Sequence, residues 1–180
     1  AAAGAGGAGA GGGGSLDGID LSGQTFTVGS KEFTEQLILG QIAIQALQAT
    51  GATVNDKTGI QGTTNVRTAL TSNQIDMYWE YTGTGWTVEL GHTTADAAKD
   101  SMKLYQAVAA EDLAKNKIKW LDPAPMNNTY AIATAQGRQQ QLGVTNMSAY
   151  AALAGRDPAA ASLCGATEFL TRDDGLPGLE

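Results

Sequence analysis

The spacing of apolar positions changes along this chain, and each change marks an element. In QTFTVGS, residues 24–30, Phe26 and Val28 alternate with polar neighbours and Gly29-Ser30 follows, which predicts a strand. The period then lengthens. Leu37, Gln41, Ile44 and Leu47 or Gln48 recur at helical spacing, Ile38 and Ile42 widen the apolar stripe, and Gly51 stands where a helix stops. Ser30 or Thr34 can cap this helix, with Glu32 or Glu35 as the acid of its first turn. ATVNDKTGI (52–60) predicts a second strand, and TTNVRTALTSNQ (63–74) a short helix capped by Thr64 or Asn65. IDMYWEY (75–81) returns to strict alternation, with Ile75, Met77, Trp79 and Tyr81 on one face and Asp76, Tyr78 and Glu80 on the other.

Strand, helix, strand, helix, strand is an α/β pattern with a mostly parallel sheet. Ligands of such sheets bind outside the carboxyl ends of the strands. GSKEFTEQ (29–36) follows the first strand and YTGTGW (81–86) the third, so both loops are expected to open on one edge. Further on, residues 94–117 read as a polar amphipathic helix with Leu104, Val108 and Leu113 on its apolar face. IKWL (118–121) and TYAIATA (129–135) read as strands flanking DPAPMNN (122–128), which its prolines hold extended. Residues 138–154 read as helical, SLCGATEFLTR (162–172) as a strand or a helix start, and DDGLPGLE (173–180) as turns. Residues 1–15 are Ala, Gly and one Ser, a flexible tether by composition. Their match to GxGxxG carries nothing, since no strand precedes the tract and no helix follows it.

Composition narrows the chemistry. With 180 residues, 42% of them hydrophobic, the chain can bury a core, and its net charge of −7 argues against nucleic acid as a partner. One cysteine, Cys164, excludes an intrachain disulfide and is expected to be a buried thiol. The single histidine, His92, leaves no metal motif, so neither a metal nor another cofactor is expected. Glu35 and Glu80 could in principle pair as acid and base, but no catalytic signature surrounds them, and charges at element ends are expected to be solvated.

One stretch stands apart. MYWEYTGTGW (77–86) holds four aromatic rings in ten positions of a chain that is 6% aromatic. Aromatic faces bind quaternary ammonium groups, which have no N–H to donate, through cation–π attraction and dispersion. Tyr81 and Tyr130, on separate segments, are candidates for two walls of such a cage. Thr84, Gln36, Asn128 and the backbone N–H groups at the first helix start could hold a polar end of the ligand, and Arg172 would suit a carboxylate best. The competing expectation is that Met77 and Trp79 are core and Tyr81 merely packs.

VGSKEFTEQLILGQIAIQAL, NQIDMYWEYTGTGW, PAPMNNTYAIA and EFLTRDDGLPGL together resemble the substrate-binding proteins of osmoprotectant ABC importers, the binders of glycine betaine, choline and carnitine. The style is similar to that of actinobacterial members, and the resemblance runs from about Gly23 to Glu180. It implies a class II periplasmic-binding-protein fold with ligand held between two lobes, no enzymatic activity, and an ABC permease in the membrane as partner. It implies an extracytoplasmic location with a lipid anchor. By matching motifs it places Tyr81 and Tyr130 on cage rings and Thr84 on a polar contact. Arg172 falls on a carboxylate-holding arginine, Gln36 on a ligand-facing glutamine, and Asn128 where some members carry an Asp. Members of the family are longer. The expected organisation is a tether over 1–20, a first lobe over 21–126, and a crossing with the beginning of a truncated second lobe over 127–180. The alternatives are an amino-acid receptor on the same fold, an enzyme of similar two-lobed architecture, and a sensor module docking another partner.

Overall fold

The computed structural model of the chain describes residues 16–179, so the expected tether of residues 1–15 lies outside the described residues. The chain divides into two compact units. The first runs to His92 and resumes over Ala97–Trp120; the second holds Thr93–Asp96 and continues from Leu121.

The first unit is built on strands β1 (Thr25–Lys31) and β2 (Thr53–Ile60), paired in parallel from Thr25↔Thr53 to Gly29↔Lys57. The predicted third strand is reduced to one parallel bridge, Val28↔Met77, on the other side of β1. Gly29 N–H donates to Met77 O at 2.9 Å and Asp76 N–H to Thr27 O at 2.8 Å. The Asp76 carboxylate itself takes the Thr27 N–H at 2.7 Å, a donor that a longer ladder would use. Alternation from Ile75 to Tyr81 therefore reports an extended segment rather than a full strand.

Helix α1 (Thr34–Ala49) packs on both strands through Gln36, Gly40 and Ile44, all buried at a spacing of four. Gly40 permits the approach: a Cβ there would meet Thr58 Cγ2 at 2.7 Å. The broad apolar stripe therefore splits, and Ile38 and Ile42, expected toward the core, are 56% and 54% exposed. Neither expected cap is used. Phe33 occupies the N-cap position, and Ser30 Oγ instead donates to Lys31 O and accepts from Gly59 N–H. Gly51 does follow the helix end, in the left-handed region at φ 88°.

Helix α2 (Thr63–Thr71) starts from Gly62, and Asn65 Nδ2 donates back to Gln61 O rather than capping. Val66 and Ala69 from this helix join Ile75 in the hydrophobic core, with Ile60, Leu70 and Tyr78 packed against it. The short helix α3 (Thr82–Thr84) runs directly into a π-type turn over Gly85–Glu89. Helix α4 (Ser101–Asn116), capped by Asp100 accepting Lys103 N–H at 2.9 Å, packs against both. Its buried positions are Val108 and Asp112; Leu113 is one residue off that line and 49% exposed.

The second unit carries α5 (Arg138–Leu142), α6 (Met147–Arg156), α7 (Thr167–Thr171) and a 3₁₀ turn over Leu176–Leu179. Asn146 caps α6 by accepting Ala149 N–H, Leu153 is the buried residue of this helix, and its Tyr150 hydroxyl donates to the O of the buried Ala161 at 2.6 Å. The expected strands IKWL and TYAIATA do not form. Ile118 N–H turns back to Asp112 O at the end of α4, and Leu121 is 70% exposed. Alternation indicates two-faced exposure, but a strand also needs a partner edge, which a sequence pattern does not supply. Cys164 is exposed, not the buried thiol expected. Its neighbours Gly165 and Ala166 lead into α7, which settles the open reading of that segment as a helix start.

Candidate ligand site

The end of β1, the start of α1 and the segment after Met77 converge around Tyr81. Glu80 lies at the centre of the convergence. Its Oε1 accepts from Lys31 Nζ at 2.7 Å and from Tyr81 N–H at 2.8 Å, and its Oε2 from the Tyr78 hydroxyl at 3.1 Å. The Lys31 and Glu80 side chains are only 2% and 5% exposed, so they form a buried ion pair and not the solvated element ends expected. Lys31 Nζ also lies over the Tyr81 ring, 5.4 Å from its centroid. The Tyr81 hydroxyl donates to Glu35 Oε1, and Phe33 stacks on the ring with centroids 6.3 Å apart and planes 16° from parallel. GSKEFTEQ and YTGTGW thus meet at the carboxyl end of β1, as their positions predicted.

Gln36 lies in the same region and is fully buried. Its Oε1 accepts Lys31 N–H at 3.4 Å, while Nε2 has no hydrogen-bond partner. A buried donor left unpaired costs about 1–3 kcal/mol, so fold stability does not explain its presence. Thr84 is buried at the end of α3. The two glycines of YTGTGW differ in role. At Gly85 a Cβ would lie 2.7 Å from Trp120 Cζ2, whereas at Gly83 it would meet nothing within 4 Å.

Behind this convergence is a second set of buried charges. Arg67 forks onto Asp112 through Nη1 at 2.9 Å and through Nη2, and its Nε lies 3.4 Å from Glu89 Oε2. Asp112 also accepts from Asn116 Nδ2 at 2.8 Å and Trp120 Nε1 at 2.7 Å. Burial would raise the Asp112 carboxyl, but the hydrogen bonds from Arg67, Asn116 and Trp120 hold it below the usual range. Glu89 goes the other way: burial, reinforced by Glu80 and Asp112 against Arg67 and Lys31, pushes it up to about 7. Burial and the nearby Glu80 and Glu89 raise the Tyr78 phenol as well.

In the second unit Tyr130 is 54% exposed and meets Phe169 edge-on, centroids 5.0 Å apart. Tyr130, Ile132, Met147, Phe169 and Asp174 line a shallow cavity of about 180 Å³. Arg172 is engaged within this unit. Its Nε and Nη2 fork onto Asp174 at 2.7 and 2.6 Å, and Nη1 donates to Glu168 Oε1 at 3.0 Å. Burial would lower its pKa, and the bonds to Asp174 and Glu168 raise it instead. Asn128 is exposed. The structure thus brings Tyr81 and Gln36 to one region of the first unit, and Tyr130 and Arg172 to one region of the second.

Lys31 and Phe169 were not singled out from the sequence as partners of the tyrosines. Lys31 stands two positions before Phe33 at a strand end, where a lysine ordinarily reads as solvated. Phe169 has no flanking aromatic cluster to draw attention to it.

The loops gathered at the carboxyl end of β1 stand where α/β sheets bind their ligands. Residues 24–180 match the family model described as the substrate binding domain of ABC-type glycine betaine transport systems, and the chain belongs to that family. It is 37% identical over 156 residues to the glycine betaine-binding protein YehZ of Escherichia coli, covering 85% of this chain and 50% of that protein. It is 36% identical over 158 residues to the glycine-betaine-binding protein of Pseudomonas aeruginosa, covering 85% of this chain and 49% of that protein. The solved structure of apo YehZ from Escherichia coli is similar with a TM-score of 0.57 at 32% identity, over 86% of this chain and 54% of that one. These matches agree with the expected periplasmic-binding-protein-like fold. The chain spans about half the length of the curated relatives it matches.

Proposed function

We propose that this chain is part of an extracytoplasmic solute-binding protein that captures glycine betaine, or a closely related quaternary-ammonium solute, and delivers it to an ABC permease. The observation that carries the reading is the surround of Tyr81. Its phenol donates to the Glu35 carboxylate and its backbone N–H to Glu80. A ring in that setting is electron-rich, the property that a permanent cation without N–H donors requires of its partner. Tyr130, beside Phe169 in the second unit, offers an aromatic surface of the same kind. Family membership and the names of the two bacterial relatives support the choice of ligand.

Gln36, with its unpaired Nε2, and the buried Thr84 supply polar contacts in this reading, and Asn128 a further one. Arg172 serves a ligand carboxylate by sharing a guanidinium that Asp174 and Glu168 already orient. No residue is assigned a catalytic role. Attachment to the outer face of the membrane by a lipid anchor belongs to the same proposal, as does a division into a first lobe over 21–126 and a second from 127. Among the described residues no helix is long and apolar enough to cross a membrane.

The test is calorimetric titration of the full-length protein with glycine betaine, choline and glutamine. Heat with betaine, abolished or weakened at least tenfold by Tyr81→Ala and by Tyr130→Ala, is the expected outcome. Heat with glutamine alone would move the protein to the amino-acid receptors, and Tyr81→Ala binding betaine as tightly as the parent would remove this ring from the site.

A further inference from the structure

The charges around Tyr81 are more elaborate than an aromatic wall needs. A bare tyrosine binds a cation with its π face alone. Here a carboxylate, Glu35, takes the phenolic proton in a hydrogen bond, which pushes electron density into the ring. An ammonium, Lys31 Nζ, already stands 5.4 Å from the ring centroid. Left alone, that positive charge would oppose a second cation on the same ring, because Coulomb repulsion is weakly screened where water is excluded. It is not left alone: Glu80 Oε1 lies 2.7 Å from Lys31 Nζ, in a pair whose side chains are almost fully buried. The same oxygen fixes the Tyr81 N–H at 2.8 Å, so one carboxylate both neutralises the lysine and holds the Tyr81 backbone.

We infer that Glu35 and Glu80 are specificity-determining residues acting through Tyr81: Glu35 enriches its ring, and Glu80 cancels the Lys31 charge beside it, so that this site favours a cationic head group over an uncharged one of equal shape. Both residues are positioning and tuning groups rather than ligand contacts. The inference rests on the proposed role of Tyr81 in ligand binding.

The experiment compares two probes on the full-length protein by calorimetry. Glycine betaine and 3,3-dimethylbutyrate share a carboxylate and a tert-butyl-shaped head, and differ in a quaternary nitrogen against a quaternary carbon. The parent prefers betaine, and Tyr81→Ala erases that preference; failure of either result removes the site reading and this inference with it. If both hold, the variants decide the inference by itself. Glu35→Gln, which keeps an acceptor at the same place, lowers the preference about three- to tenfold. Glu32→Gln removes an equal charge from a carboxylate that accepts Gly62 N–H instead, and changes the preference less than twofold. Glu80→Gln lowers the preference by a similar three- to tenfold factor, on the order of one cation–π contact. The paired replacement Lys31→Met with Glu80→Gln restores it. Should Glu80→Gln alone fail to fold, Glu35→Gln against Glu32→Gln decides. An unchanged preference in Glu35→Gln, or equal losses in Glu35→Gln and Glu32→Gln, would overturn the inference.

Discussion

Glu89 offers the sharpest test of how charge is held in the first unit. Its side chain is 8% exposed, its Oε1 has no hydrogen-bond partner, and its Oε2 reaches Arg67 Nε only at 3.4 Å. Burial is the largest influence, and it moves the carboxyl from an ordinary 4.5 up to about 7. Below pH 4.5 the group is protonated in both the folded and the unfolded chain. Between 4.5 and about 7 the folded chain keeps a proton that the unfolded chain has lost, so stability falls as pH rises through that window. Above it both forms are ionised and the contribution is gone. At about 1.4 kcal/mol per pH unit the full effect would be about 3 kcal/mol, and relaxation of the folded chain around the charged form reduces it to about 1–2 kcal/mol. Urea unfolding followed by tryptophan fluorescence at half-unit steps from pH 4.5 to 8 measures it. Other carboxylates titrate in the acid limb, so the informative quantity is the parent's unfolding free energy minus that of Glu89→Gln. That difference is expected to fall by about 1–2 kcal/mol from the acid to the alkaline end. A flat difference would show that Glu89 is ionised throughout, and that Arg67 and Lys31 outweigh its burial.

Asp112→Ala should cost about 3–5 kcal/mol in the same unfolding assay, because it strands the Arg67 guanidinium and the Trp120 indole N–H; a loss under 1 kcal/mol would show that Glu89 can replace it. Gly85→Ala should destabilise by about 1–3 kcal/mol and shift the tryptophan emission, since its methyl would lie 2.7 Å from Trp120 Cζ2 and 2.9 Å from Val108 Cγ1.

Legibility in the sequence followed the range of the interactions. β1, α1, β2 and α2 were readable because each is fixed by its own pattern and by local stops such as Gly51. Position on a helix was less readable. Ile38 and Ile42 belong to the apolar stripe of α1 by composition, but the helix sits down where Gly40 lets it approach Thr58 and Ser30. The same substitution of geometry for hydrophobicity buries Asp112 and leaves Leu113 exposed on α4. Pattern rules score the side chain, whereas burial depends on what stands opposite. The aromatic stretch was legible as a concentration of rings, and its meeting with GSKEFTEQ followed from the strand order. The charges that surround Tyr81 were not legible. A lysine and a glutamate separated by 49 residues carry no mark of being paired, and each reads as solvated until the fold brings them together.

The first unit has a two-stranded sheet extended by a single bridge, and a core centred on Val66, Ala69 and Ile75. Nonpolar contact over so small a core tolerates sliding, because dispersion and hydrophobic burial have little directional preference. Tyr81 lies four residues past the last ladder contact, at Met77, so the sheet does not fix its ring. Buried ion pairs supply the missing direction. Lys31–Glu80 ties the end of β1 to the residue before Tyr81, and Arg67–Asp112 ties α2 to α4 across 45 residues. Desolvating these groups cancels much of their mutual attraction, so their worth lies less in net stability than in the single arrangement they permit. The Tyr81 ring, beyond the last ladder contact, is held by that arrangement and not by the core.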